Sequence, residues 1–126
     1  MPTDLKGIKV LVVDDDPLII EMLQLALCVY GGDVKTAMSV SEALKIFDSW
    51  QPDVLVSDLS MPGGNGLGLI TEIRNMPDER RNIPAIALSG LYELNRTRAI
   101  NLGFSLFVKK PVDPEELANF ILQLAK

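Results

Sequence analysis

The chain of 126 residues has no histidine and a single cysteine, Cys28. Without histidine there is no Ser-His-Asp or Cys-His catalysis, no His-ligated metal and no phosphohistidine formed on this chain. One cysteine also excludes disulfide frameworks and Cys-rich zinc or iron–sulfur sites. Positive charge is short as well. Against 17 Asp plus Glu stand 12 Lys plus Arg, giving a net charge of -5, and a general phosphate-backbone binder would need a basic face. Nucleic-acid binding is therefore not expected. No apolar run approaches the length of a membrane span, and the start, Met1-Pro2-Thr3-Asp4, lacks a positive n-region followed by an apolar stretch. A cytoplasmic protein, or a cytoplasmic piece of one, without membrane contact is the expectation.

What is present suits a compact chain. With 48% apolar and 23% charged residues, the composition is that of a globular domain. A chain this long should bury roughly two-thirds of the surface its unfolded form exposes. No linker, low-complexity segment or composition shift divides it. Residues 1-126 are expected to form one domain, with a core over about 8-124.

Strand and helix signals alternate. Residues 8–13 (IKVLVV) form a β-branched apolar run suited to a strand buried on both faces. Asp14-Asp15-Asp16 stop it, and Asp16 before Pro17 reads as the N-cap of a helix over 18–29. That helix carries Ile19, Met22, Leu23, Ala26 and Leu27 at helical spacing and ends before Gly31-Gly32. Strands are then expected over 34–37, 54–57, 85–88 and 105–108. Helices are expected from an N-cap at Ser41 to about Trp50, over 66–75, over 93–102 with Gly103 as its cap, and over 114–125. Cys28 reads as a buried small hydrophobe, Trp50 as packing, and residues 77–82 as a polar connection.

Such alternation implies right-handed crossovers and a parallel sheet covered on both faces. The fold class expected is α/β, a three-layer, doubly wound five-stranded sheet with five helices in the flavodoxin-like order 2-1-3-4-5. Ligand sites in such sheets lie at the carboxyl ends of the strands. Those ends carry Asp14, Asp15 and Asp16, then Asp58, Ser89 and Lys110. Each has an ordinary explanation alone: a helix cap, a turn residue, a solvated lysine. Together, on one rim, they point to a site. Asp16 accounts for capping and leaves Asp14 and Asp15 unexplained by it. Two carboxylates about 4 Å apart repel by roughly 4 kcal/mol at an effective dielectric near 20, so the cluster calls for a cation. Oxygen ligands on an accessible rim favour Mg²⁺ with a phosphoryl group. The glycines of Gly63-Gly64-Asn65-Gly66-Leu67-Gly68 do not have dinucleotide-fingerprint spacing; they read as a flexible loop and a poor helix start.

The segments VLVVDDDP, DVLVSDLSMPGGNGLGLI, IALSG and FVKKP resemble the receiver domains of response regulators in two-component signalling, from about Ile8 to Leu124. The resemblance implies a phosphoacceptor at Asp58, and Mg²⁺ held by Asp14, Asp15, Asp58 and the backbone carbonyl of Ser60. It implies Ser89 and Lys110 as the groups that contact the phosphoryl oxygens, with Lys110, not Lys109, chosen because it precedes Pro111, and a Lys110–Pro111 bond that is often cis. Ser89 and the aromatic Phe107 would be the switch residues, acting on the helix over 93–102, the fifth strand and the last helix. The protein would not be a conventional enzyme, but would promote its own aspartyl phosphorylation and dephosphorylation. Its donor would be a sensor histidine kinase or a histidine phosphotransfer domain. Its output would be a downstream protein partner or fused domain, or a phosphorylation-dependent dimer. The lead-in LKGIKV resembles receivers fused to hybrid sensor kinases. Two alternatives stand beside this: a receiver-like module that binds a protein without phosphorylation, and a haloacid dehalogenase-like phosphatase, whose Asp-x-Asp spacing Asp14 and Asp16 share. The exposed part of the first helix, around Leu18 and Met22, is the expected docking surface for a donor.

Overall fold

A computed structural model describes residues 3–59, 66–90 and 94–125, the side chains of 94 and 95 apart. The apolar runs form strands β1 (Lys9–Val13), β2 (Asp33–Ala37), β3 (Val54–Asp58), β4 (Ala85–Ser89) and β5 (Leu106–Lys109). Between them lie α1 (Pro17–Val29), α2 (Val40–Ser49), α3 (Gly66–Arg74), α4 (Leu94–Leu102) and α5 (Pro114–Ala125). All pairings are parallel and the order is β2-β1-β3-β4-β5, as the alternation predicts. The connection before β4 holds a 3-10 turn, Glu79–Asn82, where only a polar link was expected.

Strand period separates the core into two layers. Leu11, Val13, Leu55, Ala85 and Ala87 face Phe47 of α2, Leu69, Ile70 and Ile73 of α3, and Ala99 of α4. Val10, Val12, Val54, Val56, Ile86 and Leu88 face Ile20, Leu23 and Leu27 of α1 and Leu117, Ala118 and Ile121 of α5. Each fully buried Val, Leu or Ile stabilises the fold by about 1.5–3 kcal/mol. β3 and β4 are buried along their whole lengths, which is why their sequences run apolar without alternation.

Local signals hold at most element ends. Asp16 caps α1 by accepting from the Leu18 N–H at 2.9 Å. Gly31 at φ +97 and Gly103 at φ +122 close α1 and α4 in the left-handed conformation that glycine adopts without a Cβ clash. Two expectations need correction. The cap of α2 is Ser39, not Ser41: the Ser39 backbone is extended and its Oγ accepts from the Glu42 N–H at 3.1 Å. Ser39-Val40-Ser41-Glu42 is a capping-box pattern, and it is the Ser three residues before Glu42 that stands at the cap. Cys28 is exposed, not buried. The stripe of α1 that enters the core is Ile20, Leu23 and Leu27, and Cys28 lies about 100° round the helix from Leu27. By the same rotation Met22 is exposed, with Ile19 and Ala26 half-buried. Trp50 is half-buried and packs against the α2 layer, with Lys35 Nζ 5.1 Å from its ring centre.

Over its described side chains α4 is lightly anchored. Of its described side chains, 96–102, only Ala99 is buried and Leu102 half-buried.

Candidate functional site

The carboxyl ends of β1, β3, β4 and β5 converge on one rim. Strand parity sorts what they carry: Asp58 shares its side of the sheet with Val56, and Lys110 continues the parity of Val108, both on the α1/α5 layer. Lys109 and Phe107 have the opposite parity. Accordingly Lys110 reaches the rim while Lys109 is exposed.

Lys110 Nζ lies 3.1 Å from Asp14 Oδ2 and 3.4 Å from Asp58 Oδ1. A backbone hydrogen bond holds the base of this side chain: the Lys110 N–H donates to the Ser89 carbonyl at 2.8 Å. The Lys110–Pro111 bond is cis. Asp14 is 1% and Asp58 5% exposed, so this is a screened, low-dielectric setting for charge. Burial alone would lower the Lys110 pKa. The hydrogen bond to Asp14 and the charges of Asp58 and Asp14 outweigh it, and the net direction is upward. The ammonium is therefore fully charged at neutral pH. Asp14 is held on its other oxygen, where Oδ1 accepts the Asp16 N–H at 2.9 Å.

One carboxylate oxygen from each of Asp14, Asp15 and Asp58 lies within 4.8 Å of the others. Three carboxylates against one ammonium leave the cluster net negative. Neighbouring ligand oxygens round an octahedral Mg²⁺, each about 2.1 Å from the ion, lie roughly 3 Å apart and opposite ones roughly 4 Å. Three carboxylate oxygens grouped this closely suit one hard, oxygen-preferring cation. The fourth expected ligand, the Ser60 carbonyl, lies outside the described residues, as do Met61, Pro62 and Gly63.

Ser89 ends β4, is 1% exposed and pairs in register with Lys109. Phe107 is half-buried and packs against the α2/α3/α4 layer; Ser89 shares its parity, so both stand on the α4 side of the sheet. Glu93, the expected start of the fourth helix, lies outside the described residues. Two residues next to Asp58 escape a sequence reading. Ser57 is fully buried and its hydroxyl donates to the Asp58 carbonyl at 3.0 Å. Gly66 opens α3 as expected, but it is buried against the Asp58 backbone, which the reading of its glycine run as a flexible loop did not foresee. A lone Ser in an apolar strand was the available signal for the first.

The fold and rim define a class: a doubly wound α/β protein with a buried aspartate at the end of its central strand, flanked by two further carboxylates and a lysine. The family model of the response regulator receiver domain matches residues 10–122, and the chain belongs to that family. An uncharacterised 14.6 kDa protein of Leptolyngbya boryana is 38% identical over 94% of this chain and 91% of its own length. A probable transcriptional regulator, ycf27, of Guillardia theta is 38% identical over 86% of this chain but only 42% of its own length. The chain thus spans less than half of that relative. Among solved structures, the receiver domain of the Francisella response regulator 1452 superposes with a TM-score of 0.87 at 30% identity, covering 94% of this chain and 97% of that one. The chemotaxis response regulator CheY4 of Vibrio cholerae does so with 0.85 at 28% identity, over 93% and 98%. Among the described residues no helix is long and apolar enough to cross a membrane.

Proposed function

We propose that residues 1–126 act as one phosphoacceptor receiver domain in a cytoplasmic two-component phosphorelay, taking a phosphoryl group onto Asp58. The observation that carries this is the Lys110 ammonium seated between Asp14 and Asp58 at a rim that also presents Asp15. An Asp58 carboxylate oxygen attacks phosphorus and forms the O–P bond of an acyl phosphate. The N–P bond of a donor phosphohistidine breaks, and the leaving imidazole nitrogen takes up a proton. Lys110 holds positive charge against the transferred oxygens and the Ser89 hydroxyl offers them a hydrogen bond. Catalysis by positioning and electrostatics needs no general base from this chain. Asp14, Asp15, Asp58 and the Ser60 carbonyl are the groups that would hold Mg²⁺, which when bound neutralises and orients phosphoryl oxygens.

The donor is a histidine kinase or a histidine phosphotransfer domain, since this chain has no histidine. Its docking face is the solvent side of α1, where Leu18 is 75% and Met22 41% exposed beside the Asp14–Asp16 rim. Phosphorylation then biases two arrangements of Ser89, Phe107 and the α4–β5–α5 surface, read by a downstream protein, a fused domain or a second copy.

Incubation of the chain with Mg²⁺ and acetyl phosphate, followed by intact mass measurement, tests the reading. The expected result is gain of one phosphoryl group, abolished by chelation and by Asp58→Asn. Dependence on Asp14 as nucleophile would instead indicate a phosphatase, and no gain at all a pure binding module.

A further inference from the structure

The backbone of Asp58 is held from several directions. The N–H of Leu59 donates to the Leu88 carbonyl at 3.0 Å, and the N–H of Gly66 donates to the Leu59 carbonyl at 3.3 Å. On the Asp58 carbonyl itself, Ser57 Oγ donates at 3.0 Å and the Cα of Gly66 presses in so closely that a Cβ there would stand 2.3 Å from that oxygen and 3.1 Å from its carbon. Ser57 is not what stability alone would select, and Gly66 is required only because of this contact. Ser57 is fully buried in register with Val13 and Ala87, where an alanine would fill the space without burying a hydroxyl. Gly66 is not among the positive-φ glycines, so no left-handed turn requires it, and at the first position of α3 what bars a side chain is the Asp58 carbonyl.

From this geometry we infer that Ser57 and Gly66 form a clamp on the Asp58 carbonyl and are positioning residues for the phosphoacceptor; the inference rests on the function proposed above. The peptide plane after Asp58 is rigid, and its N–H is committed to Leu88. The carbonyl therefore cannot swing away by rotation alone. A displacement of the oxygen carries the Asp58 Cα with it, and so moves the carboxylate from its place beside Lys110. A side chain at position 66 needs roughly 1 Å of such movement to reach ordinary contact distance, and misplacement of that size can slow a reaction roughly a hundredfold.

The test measures the rate of phosphoryl gain from acetyl phosphate, across a range of donor concentrations at saturating Mg²⁺, in the full chain. Ser57→Ala is expected to lower the maximal rate several-fold and Gly66→Ala about tenfold to a hundredfold, each with the half-saturating donor concentration unchanged. Ser57→Thr, which keeps the hydroxyl, is expected to recover the wild-type rate. Ile73→Val, a core change in α3 remote from Asp58, serves as the control for lost stability and is expected to leave the rate unchanged. Should Gly66→Ala not fold, the Ser57 pair decides. Equal rates for wild type, Ser57→Ala and Ser57→Thr overturn the clamp, as does an equal loss in Ile73→Val. A wild-type chain that gains no phosphoryl group overturns the proposed function and the clamp with it, whereas normal wild-type gain with unaffected variants overturns the clamp alone.

Discussion

Lys110 and Asp14, 96 positions apart in the chain, meet at 3.1 Å between Nζ and Oδ2. Their contact bridges the β5–α5 connection and the end of β1 above the intervening strands, so the sheet order is a precondition of the pair. Asp58 Oδ1 lies 3.4 Å from the same nitrogen.

Removing that ammonium leaves three carboxylates with no compensating charge. Lys110→Ala is expected to bind Mg²⁺ more tightly, by about tenfold after allowance for solvent screening, because the ion no longer competes with a cation. The same variant is expected to gain phosphate from acetyl phosphate at least tenfold more slowly, for want of charge on the transferred oxygens. Calorimetric titration and intact mass kinetics read the two opposite effects. A loss of Mg²⁺ affinity would contradict the assignment of Lys110.

The α1 face predicts a split between donors. Leu18→Asp alters a side chain that is 75% exposed, so thermal stability should change by no more than about 0.5 kcal/mol. Phosphoryl gain from acetyl phosphate should be unaffected. Transfer from the cognate phosphohistidine protein should fall by tenfold or more. Unchanged transfer from that protein would remove α1 as the docking face.

Asp78 gives a pH dependence at the opposite end of the sheet. Its carboxylate accepts the Arg80 N–H at 3.0 Å and pairs with the Arg80 guanidinium at 2.7 Å. The side-chain hydrogen bond from Arg80, then its backbone hydrogen bond, lower the Asp78 pKa from 3.8 to about 2. A carboxyl whose folded pKa is depressed contributes stability that is complete above its unfolded value and lost as pH falls through the folded one. Asp78→Asn should therefore melt below wild type at about pH 6, with the gap closing between the unfolded value of 3.8 and the folded value of about 2. Melting curves across that window check it; a gap that persists at the acid end would mean that the side chain acts without its charge.

Cys28 is exposed on α1. A maleimide should add once to the native chain without denaturant, and the same label should not appear on Cys28→Ser. Protection of the native thiol would restore the buried reading.

The architecture was legible because a parallel sheet imposes a coarse code: β-branched runs, each closed by a polar residue at the carboxyl end. That code delivers Asp14, Asp58, Ser89 and Lys110 to one rim from their positions alone. It fails where the deciding fact is rotational or three-dimensional. Cys28 sits among apolar neighbours in the chain, yet a helix places it outside the core stripe of Ile20, Leu23 and Leu27. Ser39 and Ser41 both suit a cap, and there the signal was in the sequence, since only Ser39 has the capping-box spacing to Glu42. Gly66 looks like part of a loose glycine run; that it abuts the Asp58 carbonyl depends on how α3 returns to β3, which no local pattern encodes.

Among the described side chains of α4, Ala99 alone is buried, and this has an arithmetic consequence. Carrying a two-state element from 1:99 to 99:1 takes a differential affinity of about 5.5 kcal/mol. Over 96–102 this helix is seated in the core by one small methyl, beside a half-buried Leu102, and that stretch has little apolar contact to surrender on changing its seat. The gap between the two arrangements proposed for it is correspondingly narrow. On the function proposed above, the differential affinity that a phosphoryl group on Asp58 must supply to invert the populations is correspondingly small.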